Sequence, residues 1–165
     1  EETYLKIISA KTAELFAAAT KVGAILSDMK SKEKEALEFY GRNLGLTFQI
    51  ADDTLDYNSE LKLFGKKIGQ DFYEGKITLP IILLFQKADD KEKERLKEIF
   101  SKNVRSKDDL EYSLSLIKRY EIIKACYQKA EHYINLASNS LSVFSDSEEK
   151  NILENLTSFS LTRSF

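Results

Sequence analysis

Apolar residues recur three and four positions apart along most of this chain, and little in it can stop a helix. Its 165 residues include one proline and six glycines. That period with so few breakers favours helices and leaves almost no room for strands. Ile8, Thr12, Leu15, Ala19, Val22 and Leu26 share one face of a first helix, from about 3 to 26. Ser31 is placed to cap a second, running to about 56, with Leu37, Tyr40, Leu44, Phe48 and Leu55 on its inner stripe. Gly41 and Gly45, one turn apart on it, predict the close approach of another helix. Periodicity lapses from 57 to 76, where Gly65, Gly69 and Gly75 mark an irregular loop of about 20 residues, a length usually functional or disordered. Helices resume at Thr78, with Pro80 in the tolerated first turn. The charged stretch 89–97 opens the next helix and reads as solvated surface. Ser106 with Asp109 has the spacing of a capping box, opening a helix to about 120. A further helix covers 121–143, and Ser145 with Glu148 is placed to cap the last. No strand pattern, repeat or low-complexity segment interrupts this order, so the expected fold is all-α.

A chain of this length can build one domain with a real core. The formal net charge of −2 argues against non-specific nucleic-acid binding, which needs a basic surface. The one cysteine, Cys126, cannot form an intrachain disulfide, so a reducing, cytoplasmic compartment is expected. Apolar runs such as 79–85 are too short to span a bilayer. The chain opens on Glu1 rather than Met, as a piece of a longer protein would.

One segment is at odds with its helix. FQIADDTLDY, 48 to 57, sets Asp52, Asp53 and Asp56 at the end of an apolar stripe in the spacing D-D-x-x-D. Residues four apart on a helix lie about 6 Å apart on one face, so Asp52 and Asp56 project together. Asp53 is rotated by about 100°. Following Leu44 and Phe48 along the stripe, Asp52 is expected to face the core. Clustered carboxylates suit a hard cation such as Mg²⁺, which keeps waters and shares the phosphates of a substrate. The plainer alternative is a fraying helix end with solvated aspartates. GKKIGQDFYEGK, 65 to 76, adds Lys66, Lys67 and Lys76 among glycines that let backbone approach an anion, unless these are ordinary lysines of a mobile loop. Lys11, beside Thr12 near the apolar stripe of the first helix, either snorkels to the surface or meets a buried anion. Gln49 is placed to donate an amide hydrogen bond to that anion, or is a satisfied glutamine.

Other candidates are weak. His132 has no second histidine or cysteine at ligand spacing, which argues against zinc, and Cys126 reads as a small core residue. There is no nucleophile elbow, Walker loop or G-x-G-x-x-G, and the aspartates lack the pattern of a calcium loop.

In order and spacing, KTAELFAAATKVGA (11 to 24), GLTFQIADDTLDY (45 to 57) and GKKIGQDFYEGKITLP (65 to 80) resemble the trans-isoprenyl diphosphate synthases, the polyprenyl synthetase family. The likeness continues more weakly to Arg163. It implies an antiparallel helix bundle of the isoprenoid synthase type around a deep cavity, here in part. The activity it implies is a prenyltransferase one: head-to-tail (1′-4) trans condensation of an allylic diphosphate with isopentenyl diphosphate, dependent on Mg²⁺. The general look of EGKITLPIILL implies a long-chain, octaprenyl-type product of the kind that becomes a quinone side chain, as in ubiquinone biosynthesis. Full-length members are expected to be homodimers.

The resemblance also implies roles. FQIADDTLDY matches the second of two aspartate-rich motifs, with Asp52 a direct metal ligand and Asp53 and Asp56 acting largely through water or neighbouring hydrogen bonds. Lys11, Gln49 and Lys66 match residues that hold the allylic diphosphate, Lys76 assists, and Thr12 helps to steady the carbocation. Arg163 matches a basic residue serving isopentenyl diphosphate. Released diphosphate takes the last proton, so no protein base is needed. The family's first D-D-x-x-D and the isopentenyl diphosphate region before it have no match in this chain. It is therefore expected to be a C-terminal half, inactive by itself. Two other readings stay open: a non-catalytic helical subunit of a heteromeric prenyl synthase, and a plain helical interaction module.

Overall fold

The computed structural model describes residues 1–58 and 68–162. Every regular element among the described residues is helical, as the period predicts. They are α1 (Glu2–Ile8), a π-helical stretch (Ser9–Ala13), α2 (Glu14–Leu26), α3 (Ser31–Leu55), α4 (Gln70–Glu74), α5 (Leu79–Lys87), α6 (Asp90–Ser101), α7 (Lys107–Arg119), α8 (Ile122–Ser140), a 3₁₀ turn (Leu141–Val143) and α9 (Glu148–Thr162). None of the described helices is long and apolar enough to cross a membrane. The chain divides into two compact units, Glu1–Ala51 with Gln128–Phe165, and Asp52–Tyr127.

The first unit is built around Tyr40, Leu44, Ala137 and Leu141, with Phe16, Leu37, Phe144 and Leu153 packed against them. Buried Tyr40 donates its hydroxyl to the Leu153 carbonyl at 2.8 Å, tying α9 to α3. The two glycines of α3 do admit a neighbour. A Cβ at Gly45 would stand 2.6 Å from Ala13 Cα, and one at Gly41 2.5 Å from the Phe16 carbonyl oxygen.

The face of the first helical run differs from expectation. Its buried positions are Tyr4, Ile8, Ala13, Ala17 and Ala24, whereas Leu15, Val22 and Leu26 are 75%, 51% and 82% exposed and Ala19 is exposed as well. The π-helical stretch is the cause. It inserts one residue into a turn, so the step from Ile8 to Ala13 is five, and the inner face slips by one position beyond it.

In the second unit Phe72, Leu79, Ile81, Leu84, Leu96 and Ile99 are fully buried, and Phe72 meets Phe100 edge-on at 5.4 Å. Its helix starts follow local chemistry. Thr78 precedes α5 with Pro80 in the first turn, and Ser106 with Asp109 forms the expected capping box. Asp89 with Glu92 forms another at the start of α6. The stretch 89–97 is not wholly solvated, however. Glu92 is buried because it accepts the Tyr120 hydroxyl at 2.6 Å and pairs with Arg119. Two caps shift by a residue or two. The Lys30 N–H is held by Glu33 at 2.8 Å, placing Ser31 inside α3, and Ser147 rather than Ser145 accepts from the Lys150 N–H at 3.2 Å. Cys126 is buried, as a core residue should be.

Candidate functional site

The π-helical stretch carries Lys11 and Thr12. Lys11 is exposed. Thr12 is partly buried and donates its hydroxyl to Gln49 Oε1 at 2.7 Å. A hydroxyl donor needs the carbonyl end of the amide, which turns the Gln49 nitrogen away from Thr12. The bond spans the two helical runs that Gly41 and Gly45 bring together. The close approach of backbone thus has a polar consequence: it sets the orientation of Gln49.

The aspartates lie at the last turn of α3 and open the second unit. Asp53, at 6% exposure, is the buried one, while Asp52 is half-buried. That corrects the expectation that Asp52 faces the core. Stepping four residues at a time from Leu44 through Phe48 to Asp52 gains about 40° per step over full turns, so the stripe rotates off the buried face. Ile50, Thr54 and Tyr57 are the residues that stay inside.

Asp56 turns toward the following segment. Its Oδ1 accepts the Gln70 N–H at 3.0 Å and its Oδ2 the Asp71 N–H at 2.9 Å. The Asp56 carbonyl takes the Gly69 N–H at 2.9 Å. The start of α4 is thereby fastened to the end of the aspartate motif. What sequence had as irregular loop contains this short helix, bounded by Gly69 and Gly75, both left-handed at φ +83° and +78°. Side chains other than glycine rarely adopt that backbone, which is why each end of α4 takes one.

Asp71 is then gripped by Lys76. Its carbonyl accepts the Lys76 N–H at 2.9 Å, and its Oδ1 accepts the ammonium at 2.9 Å. Glu74 pairs with the same ammonium at 2.7 Å. Hydrogen bonds to Glu74 and then Asp71 push the Lys76 pKa up, so the group stays cationic. Arg105, which sequence did not single out, holds the turn from the other side. It lies 5.3 Å above the Phe100 ring, donates to the Phe100 carbonyl at 2.8 Å, and sits where a Cβ on Gly75 would fall.

Tyr57 was also unsignalled. It is 1% exposed, and burial first, then Asp56 and Asp71, push its phenol pKa up, with a smaller push from Asp53. Thr78 approaches the phenol, yet among the described residues neither hydroxyl finds a partner in hydrogen-bonding geometry.

Lys66, Lys67 and Arg163 lie outside the described residues. Among the described residues no group of three or more His, Cys, Asp or Glu side chains forms a closed metal cage. The donors at the end of α3 are nevertheless hard carboxylate oxygens, the chemistry Mg²⁺ takes when it keeps waters and shares a ligand's phosphates. His132 is exposed and stands apart from this cluster in sequence.

The chain as a whole is similar to known proteins. A short chain isoprenyl diphosphate synthase of Methanothermobacter thermautotrophicus is 37% identical over 165 residues, covering 99% of this chain and 50% of the relative. The crystal structure of a decaprenyl diphosphate synthase from Rhodobacter capsulatus matches with a TM-score of 0.91 at 34% identity, over 99% of this chain and 50% of that one. A polyprenyl synthase from Caulobacter crescentus, complexed with calcium and isoprenyl diphosphate, matches with a TM-score of 0.92 at 37% identity, over 100% and 50%. The chain thus spans about half the length of the relatives it matches. The helical fold agrees with theirs, and the family model described as polyprenyl synthetase matches residues 1–117, so the chain belongs to the polyprenyl synthetase family.

Proposed function

We propose that the protein carrying this chain is a trans-prenyltransferase that joins an allylic diphosphate to isopentenyl diphosphate, head to tail. This chain supplies the second aspartate motif and the lysines associated with it. The observation that carries the reading is the end of α3, where the aspartate motif is joined to the segment bearing Lys76 by hydrogen bonds that the Gln70 and Asp71 N–H groups donate to Asp56. The Caulobacter crescentus relative, complexed with a divalent cation and isoprenyl diphosphate, supports the same ligand chemistry for this family member.

Asp52, half-buried and on the outer side of the buried stripe, is the direct ligand of Mg²⁺ in this reading, with Asp53 and Asp56 supporting it through hydrogen bonds. When bound, the cation supplies charge stabilisation to the departing diphosphate. The chain's own residues do the rest. Lys11, Gln49 and Lys66 hold the allylic diphosphate. Lys76 adds positive charge after exchanging Asp71 and Glu74 for phosphate oxygens. Lysines act as point charges that stabilise what develops as the C–O bond ionises. Thr12 keeps Gln49 oriented and stands beside the carbonyl groups of the π-helical stretch. Arg163 serves isopentenyl diphosphate. EGKITLPIILL, 74 to 84, supports a long-chain product for a quinone side chain, and a homodimer is the expected assembly of the whole protein.

The test is product formation by the full protein from farnesyl diphosphate and isopentenyl diphosphate with Mg²⁺, read by chain length. Asp52→Ala is expected to abolish Mg²⁺-dependent condensation, whereas unchanged activity would exclude the metal role. No condensation by the unaltered full protein would favour a non-catalytic subunit instead.

A further inference from the structure

We propose that Tyr57 is a positioning residue for the Lys76 exchange: its hydroxyl, held beside that of Thr78, donates to the Asp71 carboxylate once the Lys76 ammonium has left it for an anion. Both hydroxyls are buried, in residues 1% and 8% exposed, and among the described residues neither has a hydrogen-bond partner. A buried donor left unmade is costly, and two of them side by side call for a reason. Thr78 stands at the N-cap of α5, where a threonine oxygen ordinarily accepts an N–H of the first turn. It makes no such bond, and Pro80 in that turn has no N–H to offer. The Thr78 hydroxyl is instead the group that approaches the Tyr57 phenol.

The need for a second donor lies at Asp71. Its side chain is 18% exposed, and its Oδ1 accepts the Lys76 ammonium at 2.9 Å. The Lys76 side chain, at 51%, is the outer partner and is free to leave. Asp71 cannot follow, because its N–H is held by Asp56 and its carbonyl by the Lys76 N–H. With the ammonium gone, a mostly buried carboxylate stands uncompensated, which costs more than an unmade neutral hydrogen bond. The charge of Asp71 already reaches the phenol. A hydroxyl donating to a carboxylate makes a charge-assisted bond, roughly twice as strong as a neutral one. Tyr57 thus bears a cost at rest and lowers the cost of releasing Lys76. The departure of Lys76 rests on the proposed diphosphate binding, whereas the takeover by Tyr57 is tested without it.

Urea unfolding of the full protein, followed on the transition of the unit that holds Tyr57, is the first arm. Lys76→Met removes the ammonium and keeps the backbone N–H. Tyr57→Phe is expected to raise the midpoint by about 0.5 M in the parent and to lower it by about 0.5 M in the Lys76→Met protein, where the phenol has an acceptor to lose. Lys76→Arg keeps the cation and is expected to restore the rise. The second arm titrates inorganic diphosphate with Mg²⁺ into the full protein by calorimetry. Tyr57→Phe is expected to weaken binding about tenfold while the protein grows more stable, a pairing that a merely structural role would not give. In Asp71→Asn, where no charge is left behind, Tyr57→Phe is expected to leave the affinity as it is. Equal midpoint shifts for Tyr57→Phe in the parent and in Lys76→Met, of whichever sign, overturn the inference, whether or not the protein binds diphosphate. So does a diphosphate affinity that Tyr57→Phe leaves unchanged in the parent, or weakens equally in Asp71→Asn. A reversal of sign in urea with no diphosphate bound by the parent keeps the takeover and overturns the proposed function instead.

Discussion

Two buried tyrosines allow one substitution to be run in opposite directions. Tyr40 and Tyr57 are 0% and 1% exposed, but among the described residues Tyr40 has an acceptor, the Leu153 carbonyl at 2.8 Å, and Tyr57 has none. Replacing either with Phe keeps the ring and removes one oxygen. In Tyr40→Phe the Leu153 carbonyl keeps its helical N–H within α9, so the loss is the net worth of one hydrogen bond, about 1 kcal/mol. In Tyr57→Phe a hydroxyl that is buried without a partner disappears, and its desolvation penalty of roughly 1–3 kcal/mol goes with it. Against that stands a void of one oxygen and its lost contacts, so a net gain of about 1 kcal/mol is expected.

Urea unfolding followed by circular dichroism reads both, each on the transition of the unit that holds the tyrosine. With m near 2 kcal/mol/M, the midpoint should fall by about 0.5 M in Tyr40→Phe and rise by about as much in Tyr57→Phe. Alkaline pH gives a second readout. Burial raises the Tyr40 phenol from its ordinary 10.0 to about 12. A phenol with a raised folded pKa contributes stability that is full below pH 10 and is lost as pH rises through about 12. Tyr40→Phe should therefore unfold less steeply with alkali than the parent. If Tyr57→Phe destabilises by 1 kcal/mol or more, its hydroxyl has an acceptor in solution and the reasoning fails. Two shifts of the same sign would refute it equally.

Gly45→Ala should destabilise by about 1–3 kcal/mol and weaken the Thr12–Gln49 bond, because its Cβ meets the Ala13 backbone at 2.6 Å. Gly23→Ala, where nothing lies within 4 Å, should stabilise α2 by about 0.5–1 kcal/mol in the same denaturation assay. The Lys102 ammonium, at 2.7 and 2.8 Å, and the Ser106 N–H hold the Asp109 pKa down from 3.8 to about 2. That lowered pKa gives stability present above 3.8 and lost as pH falls through 2, so Lys102→Met should move acid unfolding to higher pH. Arg105→Met removes the guanidinium behind Gly75 and should speed amide exchange at Tyr73 to Lys76.

How far sequence reached into this molecule depended on the range of each interaction. The helices, the capping box of Ser106 with Asp109 and the close approach at Gly41 and Gly45 were legible because each is written within a turn or two of chain. The π-helical stretch was not. Nothing in SAKTA departs from an ordinary helical pattern, and the extra residue shows only as a slipped inner face after Ile8. The aspartates were found by spacing, yet which one is buried depended on helical phase: an error of 40° per step exchanges Asp52 for Asp53. Helix α4 escaped notice because five residues between glycines carry no period to read. Tyr57 is marked only by its burial, and the partners of Arg105 are carbonyls and a ring. Such partners have no residue-type signature.

The missed residues share a function in the fold that explains why they belong beside the motif. A carboxylate cluster without counter-charge must be held against its own repulsion. Here Asp53 is buried, Asp56 is committed to two backbone N–H groups, and Asp71 is neutralised by Lys76. Asp52 is half-buried, on the outer side of the buried stripe. The packing around the motif thus distinguishes three aspartates that sequence presents as alike.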